Sequence, residues 1–197
     1  MSEKKPRVLV IDDTEAQRDC ALQTIDQDKY DLTIVDGIEA AAKELGIAKC
    51  FEDGKIMYFK AEDLRDGYSP PFDYVLTDLM MPPSRYCLGE KGYDNCRDTL
   101  FPYGFPLMIL LLQTNVKGIA ILSGQNHHND PMNAFCDAMR FYHCTIGDKR
   151  VMVVGDSRPL FEGPEIGTNE LGFPNPGKHW GKALDTLITG VWPEREY

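Results

Sequence analysis

Hydrophobic positions fall into short runs that alternate between two periods. Arg7 to Ile11 (RVLVI) is a β-branched and aliphatic run ending at two acids, Asp12 and Asp13, the pattern of a short strand buried on both faces. Thr14 and Gln17 then have capping-box spacing, and Ala21, Leu22 and Ile25 share a face, which predicts a helix directly after the strand. Leu32 to Val35 repeats the strand pattern. Beyond Gly37, the residues Ile38, Ala41, Ala42 and Leu45 form an i, i+3, i+4, i+7 stripe with Glu39, Lys43 and Glu44 outside it, a second helix.

The alternation resumes at Phe72 to Thr77, a strand ending in Asp78 and the sequence LMMPP. Phe105 to Thr114 reads as a helix and Ile119 to Leu122 as a strand ending in Ser123. Met132, Phe135, Cys136 and Met139 make the apolar face of a helix that Asp130-Pro131 would start. Val151 to Val154 is a fifth strand ending at GDSRP, and Trp180, Leu184, Leu187, Ile188 and Val191 mark a closing helix. Two stretches break the pattern. Residues 47–71, with Gly54, Gly67 and Pro70-Pro71 around a strand-like IMYF, and residues 84–103, aperiodic and rich in Gly, Pro and Tyr, read as an insertion and an inserted loop. Five strands alternating with helices imply an α/β fold: a doubly wound, five-stranded parallel sheet covered on both faces, because right-handed crossovers place the helices there.

With 197 residues the chain has room for one good-sized core, so residues 1–197 are expected to form one domain with elaborations. A formal net charge of −10 argues against a surface that neutralises phosphates, and so against nucleic-acid binding. Met1 to Arg7 is charged, unlike a signal peptide, and the longest apolar run, around Leu107 to Leu112, is far below a membrane span. A soluble, cytoplasmic protein is the expectation. The six cysteines (Cys20, Cys50, Cys87, Cys96, Cys136, Cys144) form no CxxC pair and read as free thiols; Cys87 and Cys96 share a loop but match no zinc spacing.

In an open parallel sheet, ligands bind off the carboxyl ends of the strands. The residues there are Asp12 and Asp13, Asp78, Ser123, and Asp156, Ser157 and Arg158. Three carboxylates at one edge repel one another, and the usual resolution is a divalent cation with oxygen ligands, most naturally Mg2+.

RVLVIDD near the start, DYVLTDLMMP in the middle and GIAILSG after it resemble, in that order, three segments of the response-regulator receiver domain of two-component systems, which has a flavodoxin-like strand order. The likeness covers residues 7–45, 72–83 and 104–123 and is weak after about residue 140. It implies a signalling domain, not an enzyme. Asp78 would accept a phosphoryl group from a sensor histidine kinase or phosphotransfer protein, and Asp12 and Asp13 would bind Mg2+ together with Asp78 and the Met80 carbonyl. Ser123 would hydrogen-bond the phosphoryl oxygen. The family ends strand five with lysine-proline; here the matching spot is Arg158-Pro159, with Gly155 where an aromatic switch residue usually sits, so the resemblance assigns phosphoryl binding to Arg158. The two insertions would offer surfaces to other protein partners.

Each of these residues also has a plainer role. Asp13 could cap the first helix, Ser123 satisfy a backbone group, and Arg158 pair with Asp156 or Glu162. His127 and His128 in GQNHHND read as a solvated loop. Two other functions fit parts of the sequence. One is a pseudo-receiver or scaffold module on the same fold. The other is a phosphatase resembling the haloacid-dehalogenase type, which ILSG and VMVVGDS suggest, although Asp78-Leu79-Met80 lacks the second acid of its Asp-x-Asp motif.

Overall fold

The computed structural model describes residues 4–50, 56–58, 68–124, 142–155, 160–168 and 174–193. Its centre is a six-stranded sheet built on the aliphatic runs: β1 (Arg7–Ile11), β2 (Asp31–Val35), β5 (Tyr74–Asp78), β6 (Gly118–Ser123) and β8 (Lys149–Gly155), all parallel, with β7 (Tyr142–Ile146) antiparallel to β8 at one edge. The order is β2-β1-β5-β6-β8-β7. Its five parallel strands are those expected, in an order compatible with a flavodoxin-like sheet. The sixth strand corrects the five-strand expectation: Gly147-Asp148 turns the chain between β7 and β8, and Gly147 takes a positive φ of 63° there.

Because side chains alternate along a strand, each run feeds two cores. Val8, Val10, Leu76, Ala120, Leu122, Met152 and Val154 pack with Cys20 and Ala21 of α1 (Glu15–Thr24) and with Trp180, Ala183, Leu184 and Leu187 of a closing helix, α5 (Trp180–Thr189). Leu9, Ile11, Val75 and Ile119 pack with Ala41 and Ala42 of α2 (Ile38–Glu44) and Leu107 and Leu111 of α4 (Gly104–Leu111). Each fully buried Leu, Ile or Val contributes roughly 1.5–3 kcal/mol over leaving it in water, so both clusters fix how the strands stack.

The stretch 47–71 contains a two-stranded antiparallel piece, β3 (Ala48–Cys50) with β4 (Ile56–Tyr58). The aperiodic stretch 84–103 is not all loop. It holds α3 (Arg85–Asn95), broken at Gly89, whose φ of 67° and ψ of 169° interrupt the helix and explain the missing apolar stripe. Its ends are fastened together where Met81 and Phe101 exchange backbone hydrogen bonds. A second small sheet pairs β9 (Glu165–Thr168) with β10 (Pro174–Pro176). The helix expected around Met132 to Met139 lies outside the described residues, as do His127, His128, Asp156, Ser157 and Arg158. Cys20, Cys96 and Cys144 are free thiols. Among the described residues, no helix is long and apolar enough to cross a membrane.

Candidate functional site

β1 and β5 are neighbours in register, with Ile11 opposite Thr77, so the next residue on each strand brings Asp12 and Asp78 to the same carboxyl edge. Both turn their carboxylates the same way. Asp12 Oδ1 accepts the Thr14 N–H at 2.9 Å, and Asp78 Oδ2 accepts the Met80 N–H at 3.2 Å, so each acid folds onto the backbone two residues on. The other oxygen of each, Asp12 Oδ2 and Asp78 Oδ1, accepts a hydrogen bond of 2.6 Å from Lys178 Nζ. The three side chains are buried: Asp12 is 1% exposed, Asp78 7% and Lys178 3%.

Lys178 is the residue that sequence reasoning missed. It arrives from the segment between β10 and α5, not from the residues directly after the fifth parallel strand, where Arg158 was expected to supply the cation. Close packing lets it in. A Cβ on Gly177 would run into Cys20 Sγ, and one on Gly181 into the Thr24 carbonyl oxygen, so glycine on either side of Lys178 allows this segment to press against α1. The spacing of Gly177, Lys178 and Gly181 around the start of an amphipathic helix was the available signal.

The other expected residues that the structure describes lie at or beside this edge. Asp13 is half-buried beside Asp12, and Arg18 on α1 donates to the carbonyls of both, at 2.9 and 2.7 Å. Ser123 ends β6 and is 1% exposed, on the strand next to that of Asp78. Met80 is buried and presents its N–H to Asp78. The capping box expected at the start of α1 does not form: Thr14 makes no side-chain cap, and Gln17 Oε1 accepts the Lys178 N–H at 2.8 Å instead.

Charge is unbalanced at this edge, with three carboxylates against the Lys178 ammonium and the Arg18 guanidinium. Burial raises the Asp78 carboxyl above its ordinary value; Lys178 pulls it back, but repulsion from Asp12 and Asp13 adds to the burial and the net shift is upward. Asp13 is raised by burial first and by Asp12 second. Burial disfavours the Lys178 ammonium, yet Asp78 and Asp12 together outweigh it and hold its pKa above the usual lysine value. The lysine is therefore charged at neutral pH. Among the described residues, no group of three or more His, Cys, Asp and Glu side chains is arranged to hold a metal ion. The donor set of Asp12, Asp13 and Asp78 is all carboxylate oxygen, the type that suits Mg2+, and one further cation would offset the unpaired negative charge.

Comparison with protein-family models, with curated proteins and with solved structures finds no match to this chain.

Proposed function

We propose that the chain is a phosphoryl-accepting signalling domain of the receiver type, doubly wound, with Asp78 as acceptor and Asp12 and Asp13 as the acids that hold Mg2+ beside it. The observation that carries this reading is Lys178 Nζ bridging Asp12 and Asp78 at 2.6 Å each, a buried cation set against a strand-end carboxylate. In the reaction an Asp78 carboxylate oxygen attacks the phosphorus of a phosphohistidine or small phosphoramidate. The O–P bond forms as the P–N bond breaks, and the leaving nitrogen takes up a proton. Lys178 keeps its own protons and transfers its hydrogen bond from Asp78 Oδ1 to a phosphoryl oxygen, where charge accumulates. The Ser123 hydroxyl stands on the neighbouring strand to donate to a second oxygen. When bound, Mg2+ supplies the charge screening that lets two anions approach. The donor would be a sensor histidine kinase or phosphotransfer protein.

Incubation with phosphoramidate and Mg2+ followed by intact-mass measurement should give one phosphoryl adduct that hydroxylamine removes. Asp78→Asn should abolish it. An adduct that persists in Asp78→Asn would move the acceptor elsewhere. Its absence from wild type that binds Mg2+ would favour a pseudo-receiver scaffold, for which the full occupancy of both carboxylates by Lys178, Thr14 and Met80 is the supporting observation.

A further inference from the structure

A lysine ammonium on a flexible four-carbon stem reaches a fixed point only if its backbone is fixed first. Lys178 belongs to no strand or helix, and Gln17 of α1 holds it. Gln17 Oε1 accepts the Lys178 N–H at 2.8 Å, and the Gln17 carbonyl accepts Trp180 Nε1–H at 2.9 Å, so one residue grips the chain on both sides of His179. The fully buried Trp180 ring has its centroid 5.1 Å from Lys178 Nζ, which confines the stem further. On the other side, the Gly177 N–H donates to the Pro164 carbonyl at 2.8 Å and the His179 N–H to the Leu160 carbonyl at 2.7 Å. Arg18, next along α1, holds the carbonyls of Asp12 and Asp13. Two adjacent residues of one helix thus register the acids and the cation to each other.

We infer that Gln17 is a positioning residue that sets Lys178 Nζ against Asp12 and Asp78, and through it the rate of phosphoryl transfer to Asp78. The consequence for rate rests on the proposed function; the placement of the lysine does not. Gln17→Met keeps the length of the side chain and removes the acceptor, whereas Gln17→Glu keeps an acceptor oxygen.

Two measurements on the full chain separate the two ideas: the rate of adduct formation with phosphoramidate and Mg2+, and the side-chain ammonium signal of Lys178 in 15N NMR, visible only while the group is shielded from exchange with water. Gln17→Met should slow the adduct about ten-fold, the worth of one hydrogen bond lost in the transition state, and lose the ammonium signal. Gln17→Glu should recover most of both. Should Gln17→Met fail to fold, Gln17→Asn, whose amide is one methylene too short, takes its place with the same two outcomes. Wild-type rate together with an unchanged ammonium signal in the variant overturns the inference. If wild type takes up no phosphoryl group, the proposed function fails and the ammonium signal alone decides the role of Gln17.

Discussion

Asp12 and Asp78 reach the site on adjacent parallel strands, where the β1–β5 ladder sets their separation and each acid then folds onto a backbone N–H two residues away. Lys178 reaches the same point from a connecting segment, held by one glutamine side chain, by backbone bonds to residues 160–164 and by two glycines that allow close contact. The acids are placed by the sheet and by the turns that follow their strands, while the cation is placed by the packing and hydrogen bonds of a connecting segment. Changes on the strands should therefore alter chemistry, and changes around the lysine should alter stability as well.

The sharpest way to break this contrast is to remove the cation. Lys178→Met leaves two buried carboxylates facing each other, a loss of roughly 3–5 kcal/mol, readable in metal-free urea unfolding. Its pH dependence follows from the sign of the shift. The folded-state pKa of Lys178 is held above the ordinary lysine value by Asp78 and Asp12, so its contribution is fully present below that ordinary value and is lost as pH rises through the folded one. The gap between wild type and variant should not narrow as pH rises from 7 to 9, and it should close in strong alkali. A gap that closes between pH 7 and 9 would mean that the lysine is not held as described.

Gly181→Ala probes the packing that admits the lysine. Its new methyl group would meet the Thr24 carbonyl oxygen, and overpacking of this kind costs about 1–3 kcal/mol. A melting temperature equal to wild type would show that α1 and α5 have slack between them.

The smallest effect belongs to Asp13. Its carboxyl is raised, so in the folded state the charged form is disfavoured, and above that folded pKa the charge detracts from stability. Asp13→Asn should therefore stabilise the metal-free protein at pH 7 by less than about 1 kcal/mol, since solvent screens a half-buried group. It should also lose most of the melting-temperature rise that Mg2+ gives to wild type. A gain from Mg2+ that survives the substitution would exclude Asp13 from the metal site.

The legibility of the sequence follows the same division. The five parallel strands and the helices α1, α2, α4 and α5 were readable because each needs only a local period, and Asp12, Asp13, Asp78 and Ser123 were readable because they end strands. Gly147-Asp148 between two β-rich runs is a short hairpin signal, and the β7 strand that it joins to β8 was not among those expected. The capping-box reading of Thr14 and Gln17 failed because a tertiary partner, Lys178, took the glutamine that the local motif would have used. Lys178 was hidden for a related reason: it lies 166 residues from Asp12 and 100 from Asp78, and no local period connects positions so far apart.

That separation also sets an order of events in synthesis. As the chain is made from its N-terminus, Asp12 and Asp78 emerge well before Lys178, and the ammonium can meet them only once its own segment has been made and packed against α1. Until then the strand-end acids have water as their partner, and the partly folded sheet carries a cluster of hydrated negative charge at its carboxyl edge. Closing that edge requires the segment around Lys178 to be packed on α1, so a complete site reports that α1 and α5 are docked together.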